Sequence, residues 1–358
     1  MDSDRIDGFA VSDGELLKYD GKESFVTVPE GVTAIWEFAF KTTPVKKIVL
    51  PSTLLRIDGH AFDGCAIEFK EYEGGLYLGR EGNDYFVLYG AVDGVNLQLL
   101  QVHPQTEIIA SGAFEGCKKL RKVILPDGIT HLGSYTFFES GLEEINLPES
   151  IVSIGSGCFA DCFIKCVTLP KNVTELNDCV FGGCACLTQV NVHGGVTRVG
   201  LYAFEECFSL ESIDLGGGVT EIGVGAFQNC NKLKSVIVGD ALKTIEASAF
   251  KGCVMLSDLR FGALVEAVEE MAFEDCKAIT RLELISAKRI GYRAFGGCTA
   301  LESVALGEGI SFLGKEAFVG CERLKTVEFL GGQRAWIDFA EEFVFPSGIG
   351  DYRVKFIK

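Results

Sequence analysis

The sequence predicts an α/β repeat solenoid, a stack of short coils, and three observations carry that expectation. A phenylalanine recurs at Phe40, Phe62, Phe114, Phe137, Phe159, Phe181, Phe204, Phe227, Phe250, Phe273, Phe295 and Phe318, every 22 or 23 residues apart from one interval of 52. Three residues later stands a cysteine, replaced only by Thr43 and Ser140. Three residues past the cysteine an apolar pattern begins, as in Leu120-x-x-Val123-x-Leu125-Pro126 and Leu210-x-x-Ile213-x-Leu215-Gly216. A fixed period in this range marks a stacked architecture, because one unit cannot bury its apolar edge alone and its neighbours can bury it.

Each element of the coil follows from its residues. The last positions of the apolar pattern alternate at period two, which predicts one short strand per coil. Pro29, Pro51, Pro126, Pro148 and Pro170 stop that strand in the first half, and Gly216, Gly239, Gly262 and Gly307 do so in the second. A second brief extended segment follows, as in Val219-x-x-Ile222-Gly223 and Ile310-x-x-Leu313-Gly314, with a glycine bend behind it. The bend leads into Ala-Phe-x-x-Cys, with Thr136, Cys158 and Val180 in place of alanine. This turn is expected to be one helical or 3₁₀ turn.

The domain plan is a hairpin cap over residues 1–22, a solenoid over 23–330 and a closing cap over 331–358. In the first cap, residues 9–12 and 15–19 flank Asp13-Gly14. The solenoid holds about 12 repeats of 22–23 residues. Its strand-ending positions from Val28 to Phe329 count thirteen coils, which at one strand spacing each make a sheet roughly 60 Å long. The long interval adds 29 residues to one coil, and at about 67–96 it reads as a hairpin insert, with Glu81-Gly82-Asn83-Asp84 between two apolar runs. Such an insert is either a functional loop or a lobe that packs its aromatics on the adjacent coil. Residues 332–339 and 351–356 are expected to cover the far end.

Composition narrows the function. With 33 Lys and Arg against 50 Asp and Glu, the net charge of −17 repels phosphate backbones and anionic lipid. Neither nucleic acid nor a membrane is expected as a partner. No run reaches the ~18 apolar residues of a membrane span. Met1-Asp2-Ser3-Asp4-Arg5 does not open a secretory signal, so a cytoplasmic chain is expected, with a secreted or surface location the alternative if a signal was trimmed.

The chain has 14 cysteines, ten of them at the repeat position. Each would have two equivalent neighbours with parallel Cβ directions, which disfavours pairing and predicts a column of buried free thiols, most at home in a reducing compartment. Cys158, Cys166, Cys179 and Cys186 lie outside the column and, with Cys162 and Cys184, put six cysteines within 29 residues. Zinc or redox chemistry is the third functional reading, but the repeat register spreads these sulfurs over different turns. His60, His103, His131 and His193 are scattered, so no metal and no cofactor is expected. Gly155-Ser156-Gly157-Cys158 and Gly216-Gly217-Gly218 lack the context of a nucleophile elbow or a phosphate loop. The adjacent carboxylates Glu143-Glu144 and Glu269-Glu270 read as solvated surface charge. No enzyme is expected.

The outer face of the strands remains. Its outward positions read Val49, Ile124, Asn146, Thr168, Asn191, Asp214, Ile237, Arg260, Glu283, Ala305 and Glu328, together with a second row holding Asp258 and Arg281. Core rows are uniform and these rows vary, as recognition positions or unconstrained solvated positions both would. The candidate partner-binding residues are Asp214, Asp258, Arg260, Arg281, Glu283, Asn191 and Asn146. The bland reading of the charged ones is a mutually paired patch.

Taken together the coils spell Cys-x-x-Leu-x-x-Ile-x-Leu-Pro-x-x-Val-x-x-Ile-Gly-x-x-Ala-Phe-x-x-Cys, which resembles the BspA-like, or Treponema-type, leucine-rich repeats over about residues 23–330. The stretch Asp13-Gly14-x-Leu16-x-x-Tyr19 and the segment ending in Trp336 resemble flanks common in bacterial members. The resemblance implies a right-handed leucine-rich-repeat superhelix with a parallel sheet on its concave face, used for binding. It carries over no catalytic residue. The expected function is a non-catalytic, monomeric scaffold for a protein partner; the alternative is a secreted or cell-surface adhesin for host or matrix proteins.

Overall fold

Each coil gives two short strands to two different parallel sheets, as the two apolar segments per repeat require. The computed structural model describes residues 4–92, 96–331 and 353–357, which fall into two compact units, Met1–Ile164 and Lys165–Lys358. In the second unit, strands Ser212–Asp214, Ser235–Ile237 and Asp258–Arg260 pair residue for residue. Their central Ile213 and Val236 are buried while Ser212 and Asp214 face out, the alternation expected of a sheet covered on one side. The two-residue strands from Glu175–Leu176 to Phe312–Leu313 form a seven-stranded parallel sheet. Close approach of the coils behind it explains the glycine bend: a Cβ on Gly314 would sit 2.4 Å from the carbonyl carbon of Gly291.

The first unit repeats this plan around a hairpin. Phe9–Ser12 pairs antiparallel with Glu15–Tyr19, which then pairs in parallel with Ala34–Ile35. Gly75–Arg80 and Asn83–Ala91 form a second antiparallel pair, and Asn83–Ala91 runs parallel to Ile108–Ile109. The extra residues thus join the sheet. Tyr89, from the longer of these strands, lies 5.5 Å from the Phe62 ring and donates its hydroxyl to the Gly59 carbonyl at 2.6 Å. Of the expected closing segments, 332–339 and the first two residues of 351–356 lie outside the described residues, while Arg353–Ile357 pairs in parallel with Thr326–Leu330.

The turn around each phenylalanine corrects one expectation: the described residues contain no helix. The reason is a pair of left-handed residues, two before and two after the ring. Around Phe204 these are Tyr202 and Glu206, around Phe227 Gly225 and Asn229, and around Phe273 Met271 and Asp275, with φ between 53° and 62°. A right-handed helix cannot pass through such positions. Three hydrogen-bonded turns replace it, closed in one coil by Ala226 to Gly223, Gln228 to Gly225 and Cys230 to Phe227. The alternate N–H groups are thereby free to point along the stack. Gly225, Phe227 and Asn229 donate to the carbonyls of Ala247, Ala249 and Lys251 in the next coil at 2.7–3.0 Å.

Inside this ladder the rings form columns. Phe181, Phe204, Phe227, Phe250, Phe273, Phe295 and Phe318 belong to the second unit, and successive rings from Phe181 to Phe318 lie 5.0–5.6 Å apart within 13° of parallel. Phe114, Phe137 and Phe159 stack likewise in the first unit at 5.6 and 5.8 Å. All ten are fully buried. Removing one ring takes contacts from two neighbours as well as its own burial. Phe227→Ala should therefore lower stability by about 3–5 kcal/mol in denaturant titration.

Candidate functional site

The outward strand positions hold the seven residues singled out from the sequence, and the structure gives most of them local partners. Asn146 accepts from Leu125 N–H at 2.8 Å and donates to its carbonyl at 2.9 Å. Its amide continues the pairing of Lys122–Ile124 with the two-residue strand Glu144–Ile145, so Asn146 extends the sheet. Asn191 donates to Thr168 at 2.8 Å and accepts from Gln189 at 2.8 Å. Asp214 accepts from the backbone N–H of Gly216, a turn-forming contact.

The charged residues pair with each other. Arg260 donates twice to Asp258, at 2.9 and 3.0 Å, and Ser235 adds a third bond to that carboxylate. These bonds hold the Asp258 carboxyl below its ordinary range, the Arg260 hydrogen bonds first. Arg281 donates to Glu283 at 3.1 Å and to Glu328 at 3.2 Å, and Lys355 approaches Glu328 at 3.7 Å. The Arg281–Glu328 pair spans strand Ser303–Gly307 and roofs it. Ala305 keeps the outward register of Glu283 and Glu328 but is buried beneath that pair. The adjacent carboxylates also have separate partners: Glu143 meets Arg121, Glu144 meets Lys122, and Glu269 takes two bonds from Arg289.

The sequence reading placed Ile124 in the outward row but weighted charge, and it passed over Phe25 and Leu99. In the first unit Phe25, Leu99 and Ile124 are 58%, 51% and 38% exposed on three strands of the outward row. The signal for them was present: apolar residues at positions whose neighbours in the row are polar. Exposed groups of this size on a rigid sheet are what a partner's interface core contacts.

The cysteines have a structural role. All 14 are free, and nine are buried. Along most of the column the thiol donates to the carbonyl of the phenylalanine one coil back, as in Cys230 to Phe204 at 3.0 Å and Cys253 to Phe227 at 3.1 Å. Burial pushes the Cys162 thiol up to about 11 and Cys230 up to about 12, which keeps the donor proton in place. Cys158 is buried, Cys166 is exposed, and Cys179 and Cys186 are half-buried. Among the described residues no three His, Cys, Asp or Glu side chains are grouped to hold a metal ion. Among the described residues no helix is long and apolar enough to cross a membrane.

Among the described residues of the second unit one carboxylate is buried. Glu274 is 8% exposed and lies between Lys251 at 2.9 Å and Arg293 at 2.7 Å. Burial alone raises its pKa, but hydrogen bonds and charge from Lys251 and Arg293 overcome that and hold it below the usual carboxylate range.

A family profile described as the BspA type leucine rich repeat region, in six copies, matches residues 18–73, 91–207, 153–280 and 278–338. The structure is similar to the crystal structure of a leucine-rich repeat protein from Bacteroides ovatus, at 24% identity and TM-score 0.54 over 94% of this chain and 84% of that one. Similarity extends to pneumococcal vaccine antigen PcpA, at 16% and 0.44 over 94% and 80%, and to a T. pallidum leucine-rich repeat protein, at 19% and 0.35 over 75% and 91%. No curated protein matches the chain significantly.

Two outcomes follow from the electrostatics. Iodoacetamide at pH 8 should alkylate Cys166 in the native protein, with the nine buried thiols labelled only on unfolding, as read by mass spectrometry. Glu274→Gln should cost roughly 1–3 kcal/mol at pH 7. Because the folded pKa of Glu274 is lowered, its contribution is complete above the ordinary carboxylate value and is lost as pH falls through the folded value. Thermal melts of wild type and variant should accordingly converge in acid.

Proposed function

The chain belongs to the BspA-type leucine-rich-repeat family, and from that premise we propose that it is a non-catalytic scaffold binding a protein partner on the outer face of its strand sheets. The observation that carries this reading is the exposure of Phe25, Leu99 and Ile124 on strands whose opposite face is fully engaged in the core. A sheet held from behind loses little conformational freedom on binding, so its exposed apolar groups act as preorganised anchors. On the second unit Asp258, Arg260, Arg281 and Glu283 would supply orientation more than affinity, since each already has a partner. Asp214 and Asn191 would add polar contacts, and Asn146 would contribute through the strand edge it completes.

A surface or secreted adhesin is the second reading, favoured by the same exposed row. The column of free thiols favours a reducing compartment instead. Thiol mapping of protein taken from its native cells separates the two.

Crosslinking in native lysate followed by mass spectrometry should place the partner on the outer strand rows. Leu99→Glu and Arg260→Glu should weaken capture of that partner, with melting temperatures close to wild type. Capture unaffected by either change, with crosslinks mapping to the hairpin at 75–91, would refute the sheet-face assignment.

A further inference from the structure

The first unit contains a cleft that the sheet-face reading does not use. It opens where the extra strands fork the stack. Ile108–Ile109 pairs with Asn83–Ala91, while one step later Ser111 bridges back to Asp58 and donates to the Ile57 carbonyl at 2.9 Å. The space between has a volume of about 350 Å³, enough for one long side chain.

Two aromatic side chains and three carboxylates line it. Trp36 and Tyr135 are 45% and 47% exposed. Trp36 is fixed in place: its indole N–H donates to Glu15 at 2.9 Å, and the other Glu15 oxygen takes Arg56 at 2.7 Å. Tyr135 lies against Gly157, where a Cβ would fall 2.4 Å from the ring. Phe138 meets that ring edge-on at 5.7 Å. Arg56, beside Trp36 at 5.2 Å from the ring centroid, shows that this wall accepts a guanidinium. Arg56 is already paired with Glu15, and the His60 ring lies 3.4 Å from Asp63. Glu37, Asp58 and Glu115 face it with no cationic partner among the described residues. Asp58 bonds only to the His60 backbone N–H, and Glu37 and Glu115 have no side-chain bond.

We infer that this cleft binds a cationic side chain of a partner polypeptide, an arginine ahead of a lysine. Aromatic faces attract a cation through their quadrupoles, and a planar guanidinium also stacks on them. The three carboxylates set the sign of the guest, and the net charge of −17 raises the local concentration of basic segments. This extends the protein-binding reading to a second surface, and it rests on that reading only for the source of the guest.

The test is a direct titration of the full chain at low ionic strength with a capped Gly-Gly-Arg-Gly-Gly peptide and with its citrulline counterpart, which keeps the shape and removes the charge. The Trp36 indole N–H resonance, assigned with Trp36→Phe, is followed by NMR. The arginine peptide should give a saturable shift with Kd on the order of 1 mM. The citrulline peptide should bind about tenfold more weakly, and so should the arginine peptide to the Glu37→Gln/Glu115→Gln double variant. That variant should keep its melting temperature, since neither carboxylate is bonded. Equal response to the two peptides, unchanged affinity in the double variant, or no shift overturns the inference. Partner capture on the sheet face is measured separately, so either reading can fail without the other.

Discussion

Cohesion between coils is the constraint on which the rest of the structure depends. A coil of 22 or 23 residues has two strands too short to hold themselves and a turn that closes only three bonds of its own. What fixes it is the next coil: a parallel ring at about 5 Å, backbone N–H groups aimed along the stack, and a cysteine thiol reaching one carbonyl back. The left-handed residues on either side of nearly every ladder phenylalanine make this geometry possible. They interrupt the helix that an Ala-Phe-x-x-Cys segment would otherwise favour and turn alternate amides outward. A backbone cost is accepted in most coils, at non-glycine residues such as Tyr202, Ser248 and Arg293, and the stacked neighbours hold it.

This arrangement also shapes what the protein can do. A stack whose interior rows are uniform leaves the outward rows free to vary without loss of stability. Such a surface can carry apolar anchors at Phe25, Leu99 and Ile124 and ion pairs at Asp258–Arg260 and Arg281–Glu283 on the same kind of strand. The hairpin at 75–91 shows a second route to novelty. By inserting a strand and placing Tyr89 beside Phe62, it lengthens the stack while forking one sheet, and the fork leaves a cleft between Trp36 and Tyr135.

The phenylalanine and cysteine columns, the two strands per coil and the position of the insert were legible in the sequence because each recurs at a fixed spacing with one residue type. The turn conformation was not. Before the ring its determinants are as varied as tyrosine, serine, methionine and arginine, so no residue type marks them; after the ring glycine, asparagine or aspartate recurs, as at Gly183, Asn229, Gly252 and Asp275, a left-handed signal that the expectation of a helical turn overrode. The burial of Ala305 was hidden as well, because it depends on Arg281 reaching Glu328 across an intervening strand. The roles of Asn146 and Tyr89 required knowing which backbone groups lay within reach. Charge on the outer rows was easy to read and proved to be mostly self-satisfied, whereas the exposed apolar residues share their residue types with the core, and only their place in the outward row sets them apart.

Native-state hydrogen exchange in the Phe250→Ala variant tests the dependence on stacking most directly. Loss of protection should spread to the amides of Phe204, Phe227, Phe273 and Phe295, falling off with distance on both sides of the missing ring. Protection lost only within the coil that carries Phe250 would mean that each coil stands by its own contacts, and the account would be wrong.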